Sequence, residues 1–459
     1  MIATRRTFLK ASASGAIGAG FPVIVPASVF GATAPSNRIA IGAIGVGRIS
    51  RGHDLPGVLQ FTGVAGRDNR VVAVCDLSEE RVTLGKQFVN GAYTQKLGKP
   101  YDGTRGYSDF RELLANKDID AVLISTPDHQ HARLAVAAVA AGKDVYLQKP
   151  ASLTIREGRV MADRVKASGQ VLQVGSQQRS WKQFARAVEL VRNGRIGTVE
   201  RVEIGLPGDP SGGNPRTMPV PHGFNYDAWL GSTPEVPYTT DRVMPQKGFD
   251  RPGWLRMEQF GAGMITGWGA HHVDTAHWGM DTELTGPVEI WGHAQFPTEG
   301  LWNVHGPFKT YGRYANGVIM TISGDFENGI KWIGDKGWIF VCRDVGTTPT
   351  ASFNAPAAPI VPLRANDPKI LDSAIGPAEW HAYTSDDQHG NWLDCIRTRK
   401  SPVAPAEIGH RACSTCLLHW IAMKTQHRVY WDPKTETIEG DDIAASLLER
   451  RQRHPYEIV

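Results

Sequence analysis

The stretch Arg38-Ile39-Ala40-Ile41-Gly42-Ala43-Ile44-Gly45-Val46-Gly47-Arg48-Ile49-Ser50 decides the fold. Residues 38–44 form a short apolar run without polar alternation, the pattern of a parallel strand buried on both faces. Two glycines follow at 45 and 47, and the chain then reads as the opening of a helix. Glycine at these points lets the backbone approach a pyrophosphate, which the first helical amides bind. The third glycine position of this fingerprint holds Ser50, small enough for helix–strand packing. A second apolar run, Arg70 to Asp76, ends on a carboxylate that can accept ribose hydroxyls and repel a 2′-phosphate. No arginine follows directly (Leu77-Ser78), so NAD is expected over NADP. Gly45, Gly47, Arg48, Ile49 and Asp76 are thus the first candidate cofactor contacts. The gap from Gly47 to Asp76 exceeds the usual ~20 residues, and Leu55 to Asn69 reads as a Gly-rich insertion that accounts for it.

Outward from this point, strands and helices alternate. Ala121 to Ser125, Asp144 to Leu147 and Val171 to Val174 read as further buried strands. Helices are expected over 109–115, 132–141 and 155–168. Strands separated by helices of this length imply a doubly wound parallel sheet. After about Gln177 a helix (184–193) leads into segments of alternating polarity at 199–204, 288–291, 318–323 and 338–341. Such alternation predicts a mostly antiparallel sheet in a second, α+β domain. Helices are expected again around 390–397 and near His410. The reading is therefore α/β: a signal segment at 1–34, a Rossmann domain at 35–177 and an α+β domain at 178–459.

The chain has 459 residues, enough for two or three domains, and an apolar fraction of 41% that can supply their cores. Its net charge of +4 is small and dispersed, which argues against a nucleic-acid partner. No stretch after the N-terminus predicts a membrane span. Five cysteines, an odd number, argue against a complete disulfide framework. Cys413 and Cys416 have CxxC spacing but sit among Leu, Ile and Ala, so core packing is expected for both.

The N-terminal segment reads Thr4-Arg5-Arg6-Thr7-Phe8-Leu9-Lys10, followed by a mild Ala/Gly/Ile run. A paired arginine before an apolar, small-residue region has the form of a twin-arginine export signal. Periplasmic export of the folded protein is the expectation. Ala32-Thr33-Ala34 and Val29-Phe30-Gly31 are alternative cleavage points, and retention as a membrane tether is a third outcome.

The order of motifs resembles the Gfo/Idh/MocA oxidoreductases, the group of glucose–fructose oxidoreductase and inositol 2-dehydrogenase. The resemblance rests on Gly45-x-Gly47, Asp76, Thr126-Pro127-x-x-x-His131, Gln148-Lys149-Pro150, Gly175-Ser176-Gln177-Gln178-Arg179 and Gly269-Ala270-His271-His272-Val273-Asp274. It implies that Thr126, Pro127 and His131 lie at the nicotinamide half of the cofactor. It also implies that Gln148 and Lys149 contact cofactor, that Lys149 and His271 are catalytic, and that Asp274 binds substrate. A homodimer or homotetramer is implied by analogy. Two carboxylates of the family pattern are missing: the Glu before the lysine is Gln148, and the acid four places before His271 is Gly267. Lys149 is then expected to lack a nearby negative charge, and His271 its acidic partner.

Without the resemblance, Lys149 follows a buried strand, where parallel-sheet ligands sit. Arg179 reads either as a hydroxyl or cofactor ligand or as a salt bridge at the domain seam. Trp181, Trp229, Trp254, Trp268 and Trp278 cluster in the second domain, and indole faces pack on sugar C–H faces. Arg179, Trp268, His272 and Asp274 are the substrate candidates, with a sugar, polyol or glycoside as the small-molecule substrate. No metal site is expected. Twin-arginine export carries folded, loaded proteins into a compartment without a large NAD pool, so NAD is expected to stay bound and be recycled. Net oxidoreduction, redox-neutral glycoside cleavage through a keto-sugar, and non-catalytic sugar binding are all open on the sequence.

Overall fold

Strand β1 (Ile39–Ile44) lies inside a six-stranded parallel sheet with β2 (Asn69–Cys75), β3 (Arg105–Tyr107), β4 (Ala121–Ile124), β5 (Asp144–Leu147) and β6 (Leu172–Val174). The order is β3-β2-β1-β4-β5-β6, and each observed pairing is parallel. The order reverses between β1 and β4, and open α/β sheets bind ligands at such a switch point, beyond the carboxyl ends of the strands. This geometry comes from a computed structural model, which describes residues 38–243, 253–343 and 361–458. The expected export signal lies outside the described residues.

The second sheet has nine strands: β7 (Val199–Gly205), β8 (Glu289–Ala294), β9 (Phe308–Arg313), β10 (Ile319–Ser323), β11 (Gly329–Gly334), β12 (Gly337–Val341), β13 (Leu363–Ala365), β14 (Val429–Asp432) and β15 (Thr437–Glu439). Their order is β13-β12-β11-β7-β10-β9-β8-β14-β15. Only the β7–β10 pairing is parallel; the others are antiparallel. The α/β reading of a parallel Rossmann sheet beside a large, mostly antiparallel one is what the chain builds. Among the described residues, no helix is long and apolar enough to cross a membrane.

Several elements differ from expectation. Helix Glu79–Leu97 was not foreseen, because it buries only Gly85, Val89 and Tyr93 and shows little apolar periodicity; Ser78 caps it. Strand β3 is short, polar and at the sheet edge. The supposed insertion at 55–69 begins as helix: a π-helical turn, Ser50–Asp54, runs directly into helix Leu55–Leu59. Helix Gln388–Thr398, assigned by position to the second domain, packs with Trp392, Leu393 and Ile396 on the Rossmann core beside Ile41 and Val71. Cys413 and Cys416 are buried and unpaired on helix Ala406–Thr425.

Candidate dinucleotide and substrate site

Beyond β1, the chain turns at Gly45, whose φ of +80° favours glycine. A Cβ there would lie 2.8 Å from the Thr126 methyl and 2.9 Å from the Ser125 carbonyl, on the loop after β4. The two loops at the switch point are therefore packed backbone to backbone. Asp76, at the end of β2, accepts from the amides of Val46 (2.9 Å) and Ser78 (3.1 Å), which ties the glycine turn to the ribose side.

From this turn a single cavity of about 470 Å³ runs to the second domain. Gly45, Gly47, Arg48, Ile49 and Asp76 line one end. Thr126, Pro127, His131, Gln148 and Lys149 line the middle, and Trp268 and His271 the far wall, with Trp229 and Trp254 beside them. Three polar atoms of lining residues, Thr126 Oγ1, Arg48 Nε and His271 Nδ1, are buried without a hydrogen-bond partner. Buried polar groups are normally paired. Their orphaning, together with a glycine turn that a Cβ would fill, fits the residues present to a dinucleotide.

Lys149 points its Nζ at the Gly267 carbonyl, 2.7 Å away. A backbone oxygen thus takes the ammonium where the family pattern puts an acid. Space does not forbid that acid, since a Cβ on Gly267 would meet nothing closer than the Met264 sulfur at 3.7 Å. The expectation that Lys149 lacks negative charge nearby is corrected by Asp128, at the start of helix Asp128–Ala140. Asp128 lines the same cavity, is buried, and lies within electrostatic reach of Lys149. Burial pushes its carboxyl up to about 7, against the pull of Lys149. Aspartate beside Pro127 reads as a helix-start residue in the sequence, so its chemical role had no signal of its own.

His271 is buried, and its Nδ1 has no protein partner. Burial first, then the positive charges of Arg343 and Lys149, hold it well below the usual histidine range, so it is a neutral imidazole. His131 braces the loop: its ring nitrogens face the Pro150 carbonyl at 2.6 Å and the Thr126 carbonyl at 2.9 Å. Burial lowers its pKa to about 4 despite these acceptors, so one nitrogen donates and the other only abuts a carbonyl.

Gln148 donates from Nε2 to Asp54 Oδ1 at 2.8 Å. Asp54 is fully buried and also accepts from Ser125 Oγ at 2.6 Å. A glutamate at 148 would face this carboxylate directly, which explains the amide. The acid missing at 148 is supplied from the π-helical turn at 54.

Three substrate candidates lie elsewhere. Arg179 and Asp274 do not line the cavity. They form a buried bidentate ion pair, Nε–Oδ2 2.7 Å and Nη2–Oδ1 2.9 Å, and Arg179 also reaches Glu283 at 2.8 Å. Of the two readings of Arg179, the structure chooses the seam. His272 turns away from the cavity toward Gln178 (3.2 Å) and Asn328 (3.1 Å). On a helix, 271 and 274 share a face only approximately, and here the charge of Arg179 claims 274. Trp278 stacks under Arg179, with 5.1 Å to its ring, and Trp181 lies under Arg343; neither indole lines the cavity.

Two segments of the second domain cross over the cavity's ribose end. Gly223 and Asn225 bond across to Glu79 and Leu77 (2.9 Å each), and Phe224 pairs with Ser78, next to Asp76. The C-terminal tail locks this strap, with Tyr456 Oη donating to Asp227 at 2.6 Å while Tyr456 itself lines the cavity.

Residues 39–176 match the family model of the GFO_IDH_MocA oxidoreductases, described as an oxidoreductase family with an NAD-binding Rossmann fold. A glycosyl hydrolase family 109 protein of Shewanella pealeana is 34% identical over 167 residues, 33% of this chain and 35% of that protein. Myo-inositol 2-dehydrogenase of Thermotoga maritima is 30% identical over 158 residues, 34% and 42% of the two chains. These matches span well under half the length of either relative. Over both domains, the fold is similar to that of an aldose–aldose oxidoreductase from Caulobacter crescentus, with a TM-score of 0.58 at 19% identity, covering 86% of this chain and 99% of that one. Over residues 39–176, the chain is therefore similar to the NAD-binding Rossmann domain of the Gfo/Idh/MocA oxidoreductases.

Proposed function

We propose that the protein oxidises a carbinol of a sugar or polyol with an NAD that stays bound and is recycled on the enzyme. The observation that carries this reading is the continuity of one cavity from Gly45 and Asp76 to Lys149, His271 and Trp268. NAD bound along it would supply the hydride acceptor, with Gly45, Gly47, Arg48, Ile49 and Asp76 at its pyrophosphate and adenosine side and Thr126, Pro127, His131, Gln148 and Lys149 toward its nicotinamide. Asp76 favours NAD over NADP, since a carboxylate repels a 2′-phosphate. Lys149 and His271 are the catalytic residues of this proposal. As the carbinol loses its hydroxyl proton, the Lys149–Asp128 pair gains one. Neutral His271 holds a sugar hydroxyl through its unpartnered nitrogen, and Trp268 offers an apolar wall. The strap at 223–227 and Tyr456 close over the ribose end, which supports retention. So does the twin-arginine segment Thr4–Lys10, from which we infer periplasmic export. A homodimer or homotetramer remains part of the proposal.

The test is direct. Denaturing the purified mature protein should release close to one NAD per chain, read by mass. Mixing intact protein with a panel of sugars should raise the absorbance of reduced nicotinamide in a single turnover. Protein that purifies empty and turns over only with added NAD would refute retention. The family 109 relative supports a second reading, redox-neutral cleavage of a glycoside through a transient keto-sugar. Release of the leaving group from an aryl glycoside, slowed by deuterium on the oxidised carbon, would favour it over net oxidation. Tight sugar binding with no reduction of bound NAD would favour a binding protein instead.

Asp128 shares with Lys149 the site that takes the proton. With its carboxyl pushed up to about 7, the pair accepts a proton only once Asp128 has ionised. The single-turnover rate is therefore expected to rise as pH increases through about 7. Asp128→Asn should flatten that limb and lower the plateau about 100-fold, in the range for lost acid–base assistance. An unchanged pH profile in the variant would remove Asp128 from the mechanism.

A further inference from the structure

Outside the proton-handling pair, a second group of titratable side chains gathers behind the cavity wall. His53 and Asp54 come from the π-helical turn, and His389 from helix Gln388–Thr398. Their ligand atoms all lie within 4.8 Å of one another, and among the described residues no other group has this spacing. His53 Nδ1 is 2.9 Å and His389 Nε2 is 3.3 Å from Asp54 Oδ1. Two ligands about 2.1 Å from one tetrahedral ion lie about 3.4 Å apart, so small side-chain rotations suffice to enclose an ion.

We propose that His53, Asp54 and His389 form a binding site for a borderline divalent transition ion of the Zn²⁺ or Co²⁺ class. Two imidazoles and one carboxylate select such ions over Ca²⁺ and Mg²⁺, which take oxygen ligands. The site has the supports a metal centre needs. Gln148 and Ser125 orient the Asp54 carboxylate from the cavity side, at 2.8 and 2.6 Å. The His389 ring is fixed by stacking on Tyr146, with centroids 4.4 Å apart. Gly57 makes room for that ring, since a Cβ there would meet His389 Nδ1 at 2.3 Å. A π-helical turn is itself a costly departure often found at functional positions, and here it delivers two successive side chains to one point. The His53 side chain is 30% exposed, which provides an entry path and room for a water as fourth ligand.

Each imidazole now turns a nitrogen toward Asp54. To bind, each ring presents a lone pair to the ion, and any proton on that nitrogen leaves it for the other ring nitrogen or for solvent. The ion would clamp the first Rossmann helix to the C-terminal helix that packs on it, next to Gln148 but outside the cofactor cavity.

The experiment uses the untagged full chain, stripped with a chelator and titrated with Co²⁺. The result expected is a set of visible ligand-field bands that saturates at one equivalent, is displaced by Zn²⁺, and accompanies a rise in melting temperature. His53→Ala, at a partly exposed position, should fold and weaken Co²⁺ binding by more than the about 10–100-fold typical of lost outer-shell partners. His53→Gln serves as the second variant. NAD content measured on the same samples should not change in either variant, which separates this site from the proposed activity. Absence of saturable bands, or bands that persist in both His53 variants, would overturn the proposal and leave Asp54 as a hydrogen-bonded hub.

Discussion

Replacing Lys149 with methionine is expected to slow single-turnover reduction of bound NAD about a thousand-fold, with the cofactor still in place. The magnitude follows from the range for a positioned acid–base group, about 10²–10⁴-fold. Methionine keeps the length and apolar stem of lysine but cannot donate to the Gly267 carbonyl, now 2.7 Å from Nζ, nor share a proton with Asp128. Removing the ammonium leaves a carboxyl that is already strained by burial, so Asp128 should stay protonated to higher pH in the variant. The rate and the position of its acid limb should therefore change together. NAD content per chain, measured by mass after denaturation, is the control for folding and loading. A Lys149→Met protein that loads NAD and reduces it within tenfold of the native rate would show that the proton leaves by another route. His271, neutral and without a partner on Nδ1, is where that route would be sought.

The Rossmann half was legible because a parallel strand buried on both faces writes itself as an apolar run, and the glycine at 45 cannot be replaced without steric cost. The helix at 79–97 was not, because it touches the core through three residues only and its remaining surface is polar. The site divides along the same line. Residues next to strand ends, such as Thr126, Gln148 and Lys149, were placed by the topology of the sheet. Asp128 and Asp54 were missed because their importance lies in what the fold brings beside them, Lys149 in one case and Gln148 with two histidines in the other. The carboxylate missing at 148 has a counterpart on a different element, Asp54, whereas the charges that act on His271 are all basic.

The same reasoning separates Arg179 and Asp274 from the substrate and predicts the largest effect on stability. Arg179→Met should destabilise the fold by about 3–5 kcal/mol, the usual cost of removing one partner of a buried ion pair. Arg179 and Asp274 side chains are 3% and 1% exposed, so the abandoned carboxylate has no water to turn to. Arg179 also accounts for a contact to Glu283 and a stacking contact with Trp278, which raises the toll at the seam between the sheets. Replacing both partners, Arg179→Met with Asp274→Leu, should recover most of the loss, because an apolar pair leaves no buried charge at 274. Equilibrium denaturation of the three variants measures this. The competing role makes the opposite forecast: a substrate ligand would show its loss in KM, with the melting transition nearly unmoved. Arg179→Lys discriminates sharply, since lysine keeps the charge but not the two-pronged bond to Asp274. It should lower stability while leaving the KM of the surviving folded enzyme within about twofold, as a residue outside the cavity requires.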